Sequence, residues 1–234
     1  RLCERLPIDP SSEARCNLMA ELAGHWAAGT PMAETPWLVD AAQAAQKYDE
    51  AVVVAVEACA EDTEGETCYI CHGAGDEDEG LVRGCACRGA SGYAHVSCLA
   101  RLAEDAGNRE LRGAGGPGFV RWHTCGVCEQ RYHGLVACAL GWACWKTYVG
   151  RPERDPHRIM ALTLLGNSLS DADHHEDALS VQEAELSLTR RHGANEEAIL
   201  ITQNNLANTY MFRYRREEAM SLQRDVYSGR LKLN

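Results

Sequence analysis

"CACRGASGYAHVSC", residues 85–98, places three cysteines and one histidine within fourteen positions. The residues on either side continue the pattern in close pairs. Cys68 and Cys71 form a CxxC, Cys85 and Cys87 a CxC, His95 and Cys98 an HxxC, and Cys125 and Cys128 a second CxxC. Two ligands of one tetrahedral zinc must bring their donor atoms close to a common point, and short spacings around tight turns achieve this. Gly73, Gly75, Gly84, Gly89 and Gly126 lie inside or beside the pairs and let the backbone bend around a metal. His95 and Cys98 suit the start of a helix instead, because residues three apart share a face and "AHVSCLARLAEDAG" offers Leu99 and Leu102 to pack inward.

Twelve cysteines in a short secreted chain would read as a disulfide scaffold. Here they are ordered in pairs within a chain of 234 residues, and the eight paired residues read as ligands of two zinc ions. Buried free thiols account for one or two cysteines, not for four ordered pairs. Cys3, Cys16, Cys59, Cys138 and Cys144 are scattered and read as small apolar fillers in a reducing cytosol or nucleus, and the expected location is cytoplasmic. His72, His123 and His133 neighbour the ligands but fall outside the paired spacing, so they read as surface histidines.

Composition bounds the function. Hydrophobic residues at 45% and charged residues at 24% describe a folded chain, and a net charge of -11 excludes a general nucleic-acid binder. No apolar run reaches the roughly 18 to 20 residues a membrane span needs. The best candidate, "GLVACALGWACW" at 134–145, ends at Lys146 and reads as a buried helix. The chain begins at Arg1 and stops inside a periodic segment, so the expectation is a fragment on which targeting signals cannot be judged. Between Glu57 and Val82 lie nine acidic residues and no Lys or Arg, a solvated loop or a negative loop that biases partner choice.

The ligand order Cys, Cys, Cys, Cys, His, Cys, Cys, Cys over residues 68–128 resembles the RING-CH finger of the membrane-associated ubiquitin ligases. The one-residue gap in the CxC and the seven residues before His95 fit it better than a PHD finger, which shares the ligand order. The resemblance implies interleaved pairing: Cys68, Cys71, His95 and Cys98 on one zinc, Cys85, Cys87, Cys125 and Cys128 on the other. A sequential pairing remains open, because it also gives one all-sulfur site and one with a single nitrogen. Two departures stand out. The stretch between Cys98 and Cys125 is slightly long and holds "RGAGGPG" at 112–118, which reads as a mobile surface insertion, and the membrane helices of the relatives are absent from these residues.

RING-type ligases, as the resemblance implies, act by docking a ubiquitin-loaded conjugating enzyme, with no catalytic side chain and no covalent ubiquitin intermediate. Four protein ligands leave each zinc no open position, so the ions are folding staples. Ile70, inside "CYIC", and Trp122, in "RWHTC", match the family's docking positions, with Val127 a weaker third candidate. Local packing is the bland alternative for Ile70, and a plug over the metal for Trp122.

Beyond "GRPERDPHR" at 150–158, a linker or helix-start signal, the chain repeats itself. Asn167 and Asn208, Ala178 and Ala219, and Gln182 and Gln223 lie 41 residues apart, a period that predicts paired helices. Gly166, Ala207, Ala178 and Ala219 allow close helix approach. "TQNNLANTY" and "RREEAMSLQRDVY" resemble the tetratricopeptide repeats of kinesin light chains, which implies a concave peptide-binding face. Asn204 and Asn208 are candidates to line it, against the alternative of solvent-facing amides. Two units fall short of the three or so needed for independent stability, so further repeats are expected.

The expected architecture is α+β: a small two-zinc, cross-braced RING-like finger joined to an α-helical repeat array. Its parts are a helical region of unread role at 1–60, the finger at 64–133, an apolar helix at 134–149, a linker at 150–157 and truncated repeats at 158–234. The expected function is a ubiquitin ligase whose partners are a conjugating enzyme, at the finger, and a protein or peptide substrate, at the repeats. A non-enzymatic zinc-finger and repeat scaffold is the alternative. A chromatin reader is disfavoured, since nothing supplies the aromatic cage that methyl-lysine recognition needs.

Overall fold

The computed structural model describes residues 40–75, 79–113 and 117–233. Cys3, Cys16, most of the acidic run at 76–79, the centre of the glycine-rich insertion and the first 39 residues of the 1–60 region lie outside them. Helix α1 spans Ala41–Thr63 and opens on a capping box in which Asp40 accepts from the Gln43 amide and the Gln43 side chain accepts from the Asp40 amide. Helix α2, Val96–Leu111, begins directly after His95. A short 3-10 turn follows at Phe119–Trp122, and then helix α3, Gly134–Tyr148.

The α+β expectation is overturned. Of the described residues 67% are helical and 3% extended, and they contain no sheet. The extended residues form three isolated antiparallel bridges, Thr67 with Ala74, Val82 with Ala94, and Thr124 with Arg131. Each knuckle reverses the chain within a few residues, which leaves no length for a ladder, and the ligand pairs do the cross-linking that strands do elsewhere.

The finger does not stand alone. Its core of Leu81, Val82, Tyr93, Ala94, Val96, Leu99 and Tyr132 is continuous with Tyr48, Ala51, Val52 and Val56 of α1 and with Val136, Ala139 and Leu140 of α3, and these two helices also pack on each other. Helix α3 is buried on nearly every face because α1 and the finger take part of it and helix α4, Pro156–Asp171, takes the rest. At Gly141 a Cβ would stand 2.1 Å from the Ser168 hydroxyl and would force it off its bond to the Leu165 carbonyl, so glycine eases the close approach of α3 and α4.

The expected linker at 150–157 is a short turn. Asp155 caps α4 by accepting from the His157 and Arg158 amides, and Pro156 occupies the first helical turn, where its missing N–H costs nothing. Helices α5, His175–Arg191, α6, Glu196–Phe212, and α7, Arg216–Leu233, follow with short connections, each packed on its predecessor. The 41-residue period is a structural period as well. Asp173 and Tyr214 both take the left-handed conformation, with φ of 64° and 58°. His174 and Arg215 donate their amides to Leu169 and Tyr210, closing equivalent helix ends 41 positions apart.

No helix of the described residues is long and apolar enough to cross a membrane.

Candidate metal centre

Two copies of one local device build the site. In the first CxxC, the Cys68 amide donates to the Gly73 carbonyl and the His72 amide to the Cys68 carbonyl; in the second, Cys125 donates to Gln130 and Glu129 to Cys125. His72 and Glu129, each four residues after the leading cysteine, have φ of 62° and 58°. Gly73 points its amide at the Cys71 sulfur and Val127 at that of Cys125, both at 3.4 Å. Such amides stabilise a thiolate and orient it.

Tertiary structure then decides the pairing that sequence leaves open, and it is interleaved. Donor atoms of Cys68, Cys71, His95 and Cys98 lie within 4.8 Å of one another, as do those of Cys85, Cys87, Cys125 and Cys128. A Zn–S bond of about 2.3 Å and a Zn–N bond of about 2.0 Å in a tetrahedron require edges of roughly 3.8 Å between sulfurs and 3.5 Å between sulfur and nitrogen. Cys87 and Cys125 are 3.9 Å apart, and the Nδ1 atom of His95 is 3.4 Å from the Cys71 sulfur and 3.7 Å from that of Cys98. The donor sets therefore fit zinc in type, number and separation. The other ring nitrogen, Nε2, lies 3.2 Å from the Ala74 carbonyl, which accepts its N–H in the tautomer that leaves Nδ1 free as a ligand.

A bound cation would reverse the electrostatics of the thiols. Burial, then the neighbouring Cys71 and Cys68 thiols, push Cys98 up to about 12, and burial with the surrounding cysteines pushes Cys87 up to about 11. Cys68 is also pushed up by burial, but the backbone amides around it outweigh this and bring it to about 7, while Cys128 falls to about 7 chiefly through a backbone bond at Gln130. Thiols crowded this closely cannot all ionise unaided, and a divalent ion supplies the missing charge. Each set presents four protein donors, so a bound zinc is enclosed and structural.

His72, His123 and His133 are in neither ligand set. Burial lowers the His123 pKa, and its ring lies 3.0 Å from the Thr124 hydroxyl. Cys59, Cys138 and Cys144 are free thiols; burial pushes Cys138 up to about 11 and Cys144 well above its usual value.

Gly92 and Arg83 escaped the sequence reading. Gly92 has φ of 85°, and a Cβ there would lie 2.6 Å from Cys87 Cβ and 2.8 Å from its sulfur. The Arg83 guanidinium ties the Cys85–Gly92 loop down, donating to the Gly89 carbonyl and to Asp62 of α1 while lying over the Tyr93 ring. The signal for Gly92, a glycine shortly after a CxC, is too common to single out without the fold.

The three docking candidates separate. Val127 is 51% exposed on the second knuckle, and Ile70 is half-buried on the first. Trp122 is corrected: at 1% exposure it is inaccessible to a partner, and its ring packs edge-on against Tyr148 of α3. Asn204 is half-buried and Asn208 exposed, and with the exposed Ile201 they share one face of α6.

No curated protein and no solved structure matches the chain. Residues 68–128 match the family model of the RING-variant domain, and the two Cys/His clusters fit the two zinc sites of such a domain.

Proposed function

We propose that the chain is a RING-type ubiquitin ligase whose finger docks a ubiquitin-loaded conjugating enzyme and whose helical repeats recruit the protein to be modified. The observation that carries this reading is the interleaved double site, which sets both knuckles side by side and offers Ile70 and Val127 beside the ligands. RING-variant domains generally engage conjugating enzymes, and an apolar residue on a metal-fixed loop makes a pre-ordered anchor. Ubiquitin passes from the enzyme to a substrate lysine without a covalent stop on the finger.

The 41-residue period and the small residues Gly166, Ala178, Ala207 and Ala219 support reading α4 to α7 as tetratricopeptide-type hairpins, with Asn204, Asn208 and Ile201 as the peptide-facing stripe of α6. The free thiols of Cys59, Cys138 and Cys144 accord with a reducing compartment, and we place the protein in the cytoplasm, which cell fractionation tests. A non-enzymatic zinc-finger and repeat scaffold is the second reading, favoured by the burial of Trp122, which removes one expected anchor.

Discharge of ubiquitin from a panel of loaded conjugating enzymes separates the two. The zinc-loaded chain should accelerate discharge from at least one enzyme, and Ile70→Ala should reduce its binding about thirtyfold, the equivalent of about 2 kcal/mol, with zinc content unchanged. Acceleration of none, or an unimpaired Ile70→Ala, refutes the ligase reading.

A further inference from the structure

The internal repeat provides a control for each of its positions. Advancing Glu185 by 41 residues gives Val226, and both are buried, at 2% and 5% exposure. The equivalent position in the second hairpin therefore holds an apolar side chain, and the first hairpin buries a carboxyl there at a cost in desolvation. Neither metal set uses that carboxyl.

Its surroundings are specific. Helix α5 packs against α4 and α6, and Glu185 meets a hydroxyl from each. Its Oε1 accepts from Thr163 of α4 at 2.6 Å and from Thr202 of α6 at 3.0 Å, whereas Oε2 has no hydrogen-bond partner. These two neutral hydroxyls are the polar groups that act on it, and no charged side chain of the described residues does. Glu183, two residues earlier on α5, turns instead to the Tyr210 hydroxyl and to Arg215. Each threonine hydroxyl also has a second acceptor, the carbonyl of Ile159 for Thr163 at 3.1 Å and that of Ala198 for Thr202 at 3.2 Å. A hydroxyl carries one proton, so each has two settings: toward the carboxylate, or back to its own helix.

We propose that Glu185 is a proton-operated latch in the first helical hairpin, neutral when α4, α5 and α6 are closed on one another and ionised when that junction opens. A proton taken from solvent binds at the orphan Oε2, which removes the buried charge. Proton loss leaves an anion held by two neutral hydroxyls, and opening the junction to water relieves it. Burial raises the carboxyl from 4.5 to about 7, with the Thr163 and Thr202 bonds opposing. Because the closed-state pKa is raised, the closed state binds the proton more tightly than the open one. Its stabilisation is fully present below the open-state value and is lost as pH rises through about 7.

The test is hydrogen exchange on the full zinc-loaded chain at pH 6 and pH 8, read as protection of α4–α6 amides after correction for intrinsic exchange. A carboxyl titrating at about 7 closed and 4.5 open makes the opening equilibrium rise about tenfold across this interval. Glu185→Val, the residue of the equivalent position, should abolish the rise, and so should Glu185→Gln. His157, His174, His175 and His192 are common to parent and variants, so the difference isolates Glu185. An equal rise in the variants, or none in the parent, overturns the proposal. Carboxyl NMR of the parent gives a second reading that needs no variant: a Glu185 midpoint near 7 supports the latch, and one between 4 and 5 overturns it.

Discussion

Gly92→Ala is the sharpest perturbation of the second metal set. The residue must stay left-handed, at φ 85°, and its new methyl would sit 2.6 Å from Cys87 Cβ, 2.8 Å from the Cys87 sulfur and 3.3 Å from that of Cys85. The left-handed backbone costs alanine about 1 kcal/mol. Crowding adds about 1 to 3 kcal/mol, toward the upper end because the atoms struck belong to a metal ligand rather than a free rotamer. The total of about 2 to 4 kcal/mol should weaken zinc at Cys85, Cys87, Cys125 and Cys128 by about thirtyfold to a thousandfold. Competitive titration against a chromophoric chelator reads the two sites as separate steps, and the His95-containing step should move little.

Gly89→Ala is the internal control. Gly89 is also left-handed, at φ 60°, but a Cβ there meets nothing within 4 Å, so only the backbone cost applies and the loss should be about fivefold. Equal losses in the two variants would show that close approach to Cys87 is immaterial and that the structural account of Gly92 is wrong.

Removal of zinc should collapse residues 68–128 and loosen α1 and α3, whose inner faces close the finger core, while α4–α7 keep most of their helical signal; circular dichroism with residue-level exchange checks this, and full retention of finger protection without metal would refute it. Trp122→Ala should cost about 3 to 5 kcal/mol of stability through the cavity left against Tyr148, measured by denaturant unfolding, and a near-neutral result would return Trp122 to the surface.

The eight ligands were legible in the sequence because tetrahedral coordination imposes short spacings that survive any context. Their pairing was not, since interleaved and sequential schemes use the same residue types, and only the folded chain brings Cys71 to His95 and Cys87 to Cys125. The 41-residue period was legible for a related reason: closely packed helices demand small residues at recurring places, and Gly166 is held so near Gln182 that a Cβ would lie 2.9 Å from its Cγ. Trp122 was misread because an apolar residue beside a knuckle looks the same in sequence whether a partner or Tyr148 covers it. The α+β assignment failed because the extended residues of the finger make single bridges and no sheet. Glu185 gave no local signal at all, and its meaning comes from comparison with Val226.

The long gap before the fourth ligand pair has a structural role that its glycine-rich composition conceals. Glu110, near the end of α2, accepts from the Gly118 and Phe119 amides and pins the returning chain to the ligand helix. A Cβ at Gly118 would lie 2.0 Å from the Ala106 carbonyl oxygen, so the return strand lies directly on α2. Phe119 and Trp122 then meet Tyr148 of α3, and His157 of α4 packs on both Phe119 and Tyr148. One aromatic cluster thus joins the finger, the apolar helix and the first repeat helix, and each such ring pair contributes about 0.5 to 1.5 kcal/mol beyond burial. A short capped turn at Asp155 completes the joint where sequence suggested a linker. Under the proposed ligase reading this joint would set the direction in which a substrate at α6 faces an enzyme at Ile70. Lysine choice would then follow from geometry rather than from the reach of a flexible tether.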